Sequence, residues 1–433
     1  MRHLLSLFFA IALAVPASAT DIQKVTSESG ITAWLVEEHS IPIVSFDILF
    51  RGGASIEPSD KHGATYLMTG LLEEGAGQYD ATGFLEATEA LAARFSFDAS
   101  RDLVSINATV LKENLDPSME LLRIALTEPR FDAIAFERVR EQVNSVIRRA
   151  ETNPQSLGGS HFRTLAFGDH PYARSLEGTL ESIAALTPQD MREAHQTALT
   201  HDRIVVGVVG DITPEELAKL LDTVFAALPA SSSEIVPMTS MQAGGGIDVI
   251  DHPSPQSVAI FGHAGIMRDD PDYIAAYVMN HIMGTGFTSR LNQEIREKRG
   301  LTYGVSSFLA PYDRAGLYMG AMSSSNENIA EAIDLIRLEW AKMADNGVTN
   351  EELEAAQKYL TGSYPLRFDS NGAIASILAG LQFANLPIDY IATRNDLVNA
   401  ITVEDINRVA SRLVQPDKLH FVIVGQPEGI AAR

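Results

Sequence analysis

The chain has 433 residues, 45% of them apolar, enough for two packed domains. It carries a formal net charge of −23 and no cysteine. The charge argues against nucleic-acid and anionic-membrane partners, and the missing thiols exclude disulfides, a lipid-anchored cysteine and thiolate metal sites.

The chain opens as a secretory signal peptide. Arg2 and His3 give a short basic start, Leu4 to Val15 is almost wholly apolar, and Ala17-Ser18-Ala19 supplies a small-x-small pattern, with cleavage expected after Ala19. The apolar run is too short for a membrane anchor, and no later stretch is long and apolar enough to span a bilayer. A bacterial periplasmic or secreted location is expected. Further on, Val44, Phe46, Ile48 and Phe50 alternate with Ser45, Asp47 and Leu49, the period of a strand with a buried face.

Residues 63–70 read Gly-Ala-Thr-Tyr-Leu-Met-Thr-Gly, a short helix. A zinc-peptidase helix of the H-x-x-E-H type needs His at i and i+4 and Glu at i+3. At those spacings stand Thr65, Met68 and Thr69. Strands are expected near 95–100 and 103–111, joined by a tight turn at Ser100, Arg101 and Asp102. The next helix is expected to break at Pro117 and to carry Met119, Leu122 and Leu126 on one face.

The sequence then repeats itself. Residues 186–210 and 401–425 align without a gap at a constant offset of 215 (401 − 186), matching Asp190 to Asp405, Asp202 to Asp417 and Gly210 to Gly425. Each copy reads as a capped helix, a turn and an apolar strand. Pro229 to Ser233 and Gly244-Gly245-Gly246 mark a polar connection between the copies. In the second copy Val258 and Ile260 repeat the early strand. Asp270-Pro271 reads as a helix cap, and Ile274, Val278 and Ile282 line a helix that stops at Gly284. The division is a signal peptide (1–19), a first domain (20–229), a linker (230–246) and a homologous second domain (247–433). Both domains are expected to be α+β, with a mostly antiparallel sheet covered by helices.

Four segments carry a resemblance that spans nearly the whole mature chain. They are Arg51 to Ala64, Glu141 to Pro154, Gly284 to Tyr303, and the paired strand ends Val208-Val209-Gly210 and Ile423-Val424-Gly425. Together they resemble the pitrilysin/insulinase-type zinc peptidases, which include the mitochondrial processing peptidase and bacterial two-domain subunits. The resemblance implies a six-stranded sheet with helices on one face in each domain, and two subunits closing like a clamshell around a peptide.

In active members of that family two His and a distal Glu hold zinc, and the Glu between the His activates water. This chain is expected to bind no metal. A threonine hydroxyl is a weak neutral ligand, a thioether is soft, and neither is a general base near neutrality. The distal Glu falls near Ser145 or Val146, with no acid between Glu141 and Glu151. No two of the eleven His stand at i, i+4, and His62 reads as a surface or capping residue. The pair Arg296 and Tyr303 keeps the family spacing for peptide binding and for donation to a developing oxyanion. Gly284 and Gly286 mark a second candidate contact with substrate. Strand 95–100 stands where active relatives pair a peptide with a sheet edge.

These features imply a non-catalytic subunit that binds no cofactor itself. Zinc is expected on a homologous partner subunit in a heterodimer that takes unstructured peptides. The alternatives are a metal-free homodimeric peptide-binding or chaperone-like protein, and an enzyme with a different metal arrangement.

Overall fold

A computed structural model describes residues 21–232 and 234–430. The expected signal peptide lies outside the described residues. Among the described residues no helix is long and apolar enough to cross a membrane.

The first half begins with strands β1 (Gln23–Thr26), β2 (Thr32–Glu37) and β3 (Ile43–Arg51), then helix α1 (Ala64–Thr69). A small hairpin, β4 (Gly75–Ala76) and β5 (Tyr79–Asp80), leads into α2 (Ala81–Ala90), β6 (Arg94–Ala99) and β7 (Leu103–Leu111). Helices α3 (Leu115–Thr127), α4 (Ala133–Ala150), α5 (Pro154–Phe167), α6 (Leu180–Ala185) and α7 (Pro188–Ala198) follow. Strand β8 (Ile204–Gly210) and α8 (Pro214–Phe225) close the half.

The second half runs through β9 (Gly246–Asp251), β10 (Gln256–Ala264), α9 (Tyr273–Gly284), β11 (Thr302–Pro311) and β12 (Gly316–Ser325). It continues with α10 (Ile329–Asn346), α11 (Asn350–Gly362), α12 (Asn371–Phe383), α13 (Tyr390–Asn399), α14 (Val403–Leu413) and β13 (His420–Gly425).

The first sheet has the order β1-β2-β8-β3-β7-β6 and the second β11-β12-β10-β13-β9. Apart from β1 the two orders match strand for strand. In each, one parallel pair (β2 with β8, β9 with β13) joins an otherwise antiparallel sheet. The repeat is visible at the level of single bonds. Thr187 with Asp190 and Thr402 with Asp405 form reciprocal capping boxes at the starts of α7 and α14. Helix α14 then buries Ile406, Val409, Ala410 and Leu413, a spacing that lays one apolar stripe on the core.

Three expectations need correction. Among the described residues the second sheet has five strands, not six. Residues 235–245 precede β9 as β1 precedes β2, but they contain Pro237 and end in consecutive glycines. Their amides go elsewhere: Thr239 donates to the Arg314 carbonyl and Gln242 to that of Ala166. Helix α3 is not broken at Pro117. It starts at Leu115, so the proline sits in the first turn, where its missing N–H removes no helical bond. Helix α9 begins later than Asp270-Pro271 predicts: Asp272 takes the N-cap position without a side-chain cap, while Asp270 Oδ1 accepts from the Asp272 amide at 2.8 Å and pairs with Arg412 at 2.9 Å.

Each sheet packs its own half's helices on one face. The other face is covered by a helix from the opposite half. Phe162, Ala166 and Phe167 of α5 pack with Ile260, Leu317, Met319 and Val422 of the second sheet. Reciprocally, Ala375, Leu378 and Leu381 of α12 pack with Trp34 and Val209 of the first. Polar contacts fix the seating of α12: the Gln382 amide donates to the Val206 carbonyl (2.8 Å), and Arg51 donates to the Gln382 carbonyl (3.0 Å). A further bond set joins the halves at Asp102, which accepts from the Tyr172 hydroxyl and the Asp313 amide.

Strand β8 approaches α12 so closely that a Cβ on Gly207 would lie 2.2 Å from the Ala375 carbonyl oxygen. That oxygen is backbone and has no rotamer by which to escape. Gly207→Ala is therefore expected to destabilise the chain by roughly 1–3 kcal/mol, the usual range for overpacking. A lowered urea midpoint would register it; a wild-type midpoint would show that α12 does not seat on β8 in solution.

Candidate functional site

Helix α1 is short, and its N-cap position is Gly63 in the left-handed region (φ 89°), which offers no side-chain cap. Glu57 supplies one instead. Its carboxylate accepts from the Gly63 amide at 3.0 Å and from the Thr65 amide. Glu57 is itself 8% exposed. Burial pushes its pKa up from 4.5 to about 7, against the lowering effect of those hydrogen bonds. Arg174 reaches the Glu57 carbonyl at 3.3 Å, and a ring nitrogen of His62 bonds the Ser175 carbonyl, so the 174–178 loop closes over the start of the helix. His62 is half-buried, not a surface residue, and burial lowers its pKa.

Thr65, Met68 and Thr69 are 2%, 0% and 3% exposed. The Thr69 hydroxyl donates back to the Tyr66 carbonyl at 3.0 Å, and Met68 belongs to the main core of the first half. On α4, the Ser145 hydroxyl donates to the Glu141 carbonyl of its own helix at 2.9 Å, with Val146 beside it. Among the described residues no three His, Cys, Asp or Glu side chains gather where a metal ion would sit. Thr65, Met68 and Thr69 offer two neutral hydroxyls and a thioether, which do not fit Zn²⁺. A cavity of about 450 Å³ opens beside the start of α1, lined in part by Glu57, Lys61, Thr65, Asp190 and Glu193. Lys61 holds Asp190 at 2.6 Å, and Asp190 also serves the α7 capping box.

The other candidates cluster on the second half. Gly284 ends α9 and is buried; a Cβ there would strike the Ser307 hydroxyl at 2.1 Å, so packing against β11 already requires glycine. Gly286 is different: it is exposed, has φ 91°, and a Cβ there would meet nothing within 4 Å. Its carbonyl is held by the Asn292 amide group (3.0 Å) and the Ser289 hydroxyl (2.8 Å), and Asn292 also donates to Val305 of β11. Arg296 lies on a single π-helical turn, Asn292–Glu297. Its guanidinium stacks 5.0 Å from the ring centre of Phe287, which is 71% exposed, with Glu297 at 3.6 Å. Tyr303 is 88% exposed. It sits where the register of β11 slips between Thr302 and Gly304, and β11 is the edge strand of its sheet. The structure thus brings Arg296 to the glycine loop through Phe287 and sets Tyr303 on a free edge. Strand β6, the expected peptide-pairing strand, is likewise an edge of the first sheet.

Sequence reasoning missed Glu57 and Phe287. An acid six residues before a helix that starts on glycine was a usable signal for the first. For the second, only the aromatic between the loop glycines and Arg296 pointed to a stacking partner.

Residues 33–180 match the family model described as insulinase (peptidase family M16), and residues 185–360 match that described as the peptidase M16 inactive domain. The chain is 25% identical to a "non-peptidase homolog YmxG" of Helicobacter pylori, over 98% of each chain. It is 23% identical to an "uncharacterized zinc protease" of Streptomyces coelicolor, over 90% of this chain and 86% of that one. Among solved structures, a peptidase M16 inactive domain from Pseudomonas fluorescens superposes with a TM-score of 0.89 at 28% identity, covering 95% of this chain and 99% of that one. With both halves matched and the fold shared end to end, this chain belongs to the insulinase family of peptidases, family M16.

Proposed function

We propose that the chain is a non-catalytic, exported subunit of a two-chain zinc peptidase. It completes a peptide chamber and supplies Arg296 and Tyr303 in trans to a zinc site on a homologous partner. One contrast carries this reading. The three positions that would hold the metal and the base are sealed in the core, while Tyr303 stands in solvent on an edge strand and Arg296 lies half-buried against the exposed Phe287. The signal-like start supports export, and the Helicobacter relative's printed name, a non-peptidase homolog, supports the loss of activity.

In this arrangement an extended peptide pairs with a sheet edge, Arg296 binds it, and the Tyr303 hydroxyl donates to the oxygen that gains charge at the attacked carbonyl. The water is activated on the partner. Glu57, with its raised pKa, is a structural cap in this reading and not a base: its carboxylate is engaged by two backbone amides.

Purified alone, the chain should leave an unstructured peptide uncut; with an intact zinc-bearing relative it should form a complex whose cleavage a chelator abolishes. Chelator-sensitive cleavage by this chain alone would overturn the assignment. In the complex, Tyr303→Phe is expected to lower kcat by about 10²-fold, the usual effect of losing one oxyanion donor, with assembly unchanged by native mass spectrometry. Unchanged turnover would remove the in-trans role.

A separate measurement addresses Glu57. Its folded pKa lies above its unfolded value, so the protonated form favours the folded state. That contribution is complete below about pH 4.5 and is lost as the pH rises through about 7. Glu57→Gln should flatten the stability–pH curve over this window, by on the order of 3 kcal/mol at most. Identical curves for the two proteins would mean that Glu57 titrates normally.

A further inference from the structure

A second cavity, of about 590 Å³, lies in the second half between α9, α12, α13 and the turn Tyr364–Arg367. Its size falls in the range of small-molecule sites. Three arginines line it, Arg268, Arg367 and Arg394, and no aspartate or glutamate does. Among the described residues none of the three has a carboxylate at ion-pair distance, although the chain as a whole holds 56 acids against 33 Lys and Arg. With acids in such excess, unpaired guanidinium groups converging on one cavity call for an explanation.

Tyrosines hold two of these groups, Arg268 and Arg394, in place. The Arg268 guanidinium lies 4.2 Å from the ring centre of Tyr273 and 5.5 Å from that of Tyr390, and it donates to the Tyr390 hydroxyl at 3.0 Å. Arg394, only 5% exposed, lies 4.5 Å from the Tyr364 ring centre and donates to the Tyr277 hydroxyl (3.3 Å) and to the Leu360 carbonyl (2.7 Å). Ring faces and neutral acceptors orient a guanidinium without cancelling its charge. The space itself comes from α12. Its core face buries Ala375, Leu378 and Ala379, and the opposite face presents Ala373, Gly380 and Ala384, with Ser376 on the flank, where its hydroxyl donates to Asp47 of the first sheet. Small residues in a row keep that wall of the cavity low.

We propose that this cavity binds a small organic anion, with its carboxylate or phosphate on Arg268, Arg367 and Arg394 and its apolar body against Ile274, Ile377 and the small face of α12. The site is independent of Arg296, Tyr303 and the peptide role. Planar, bidentate donors match both oxyanion types, so the shared chemistry is the claim.

Titration calorimetry on the full mature chain would test it with phenyl phosphate, phenylacetate, inorganic phosphate and the neutral benzyl alcohol. Saturable binding of phenyl phosphate or phenylacetate is expected, tighter than inorganic phosphate, with none for benzyl alcohol. If phenyl phosphate alone binds, the anion is a phosphate; if phenylacetate alone binds, it is a carboxylate. Two variants locate the site. Arg268→Gln removes charge, and Gly380→Leu fills a position where a Cβ meets nothing within 4 Å. Each should weaken binding about 10-fold or more while the melting temperature holds, since neither replaces Arg394, which ties α13 to α11. No saturable binding of either aromatic anion, equal binding of benzyl alcohol, or unchanged affinity in both variants would overturn the proposal.

Discussion

The structure depends on a reciprocal exchange of helices between its halves. Each sheet has two apolar faces, and its own half supplies helices for only one. The second face of the first sheet is closed by α12 and that of the second by α5. Left open, either face would expose a broad apolar surface, so the exchange makes one body of two repeats. The closeness of the fit shows at Gly207, and at Gly158, where a Cβ would sit 3.1 Å from Ile260. Because α12 is clamped to the first sheet on one side, its other side is free to form a wall of the arginine cavity.

The same constraint explains why the threonine helix is stable without metal. Helix α1 has only six residues, too few to hold itself by backbone bonds alone. Its amides are capped by Glu57, its face is sealed by the core, and the 174–178 loop closes over its start. Hydroxyl and thioether side chains at 65, 68 and 69 leave the packing satisfied. Nothing comparable accounts for Tyr303. A tyrosine almost wholly in solvent at a strand irregularity adds little to folding.

The features legible in the sequence were those written locally. The 215-residue repeat exposed two matching halves because a capping threonine, an acid three residues on and an apolar strand recur in one register. The tight turn at 100–102 and the strands flanking it were readable from alternation alone. What failed was non-local. The start of α9 is one such case, with Asp270 and Asp272 both drawn to Arg408 and Arg412 of α14. The missing sixth strand depends on acceptors at Ala166 and Arg314, far from residues 235–245 in sequence. The arginine cavity gathers residues 268 to 394 from several elements, and no spacing rule announces it.

The treatment of arginine separates structure from recognition across the second half. Arg290 is neutralised by two bonds of 2.7 Å to Glu352 and also donates to the Gly347 carbonyl, so its charge is spent on joining the segment before the π-helical turn to α11. Six residues later Arg296 takes the face of Phe287, with its one acid, Glu297, at a looser 3.6 Å. Arg268 and Arg394 likewise rest on tyrosine faces. A carboxylate partner fixes a guanidinium and cancels it; an aromatic face fixes it and leaves the charge available. At a net charge of −23, long-range attraction cannot deliver an anion to this chain, and screening limits any such field to about 8–10 Å. Any recognition of carbonyl or anionic groups would therefore rest on contacts made at short range, the kind that arginines held on aromatic rings can make.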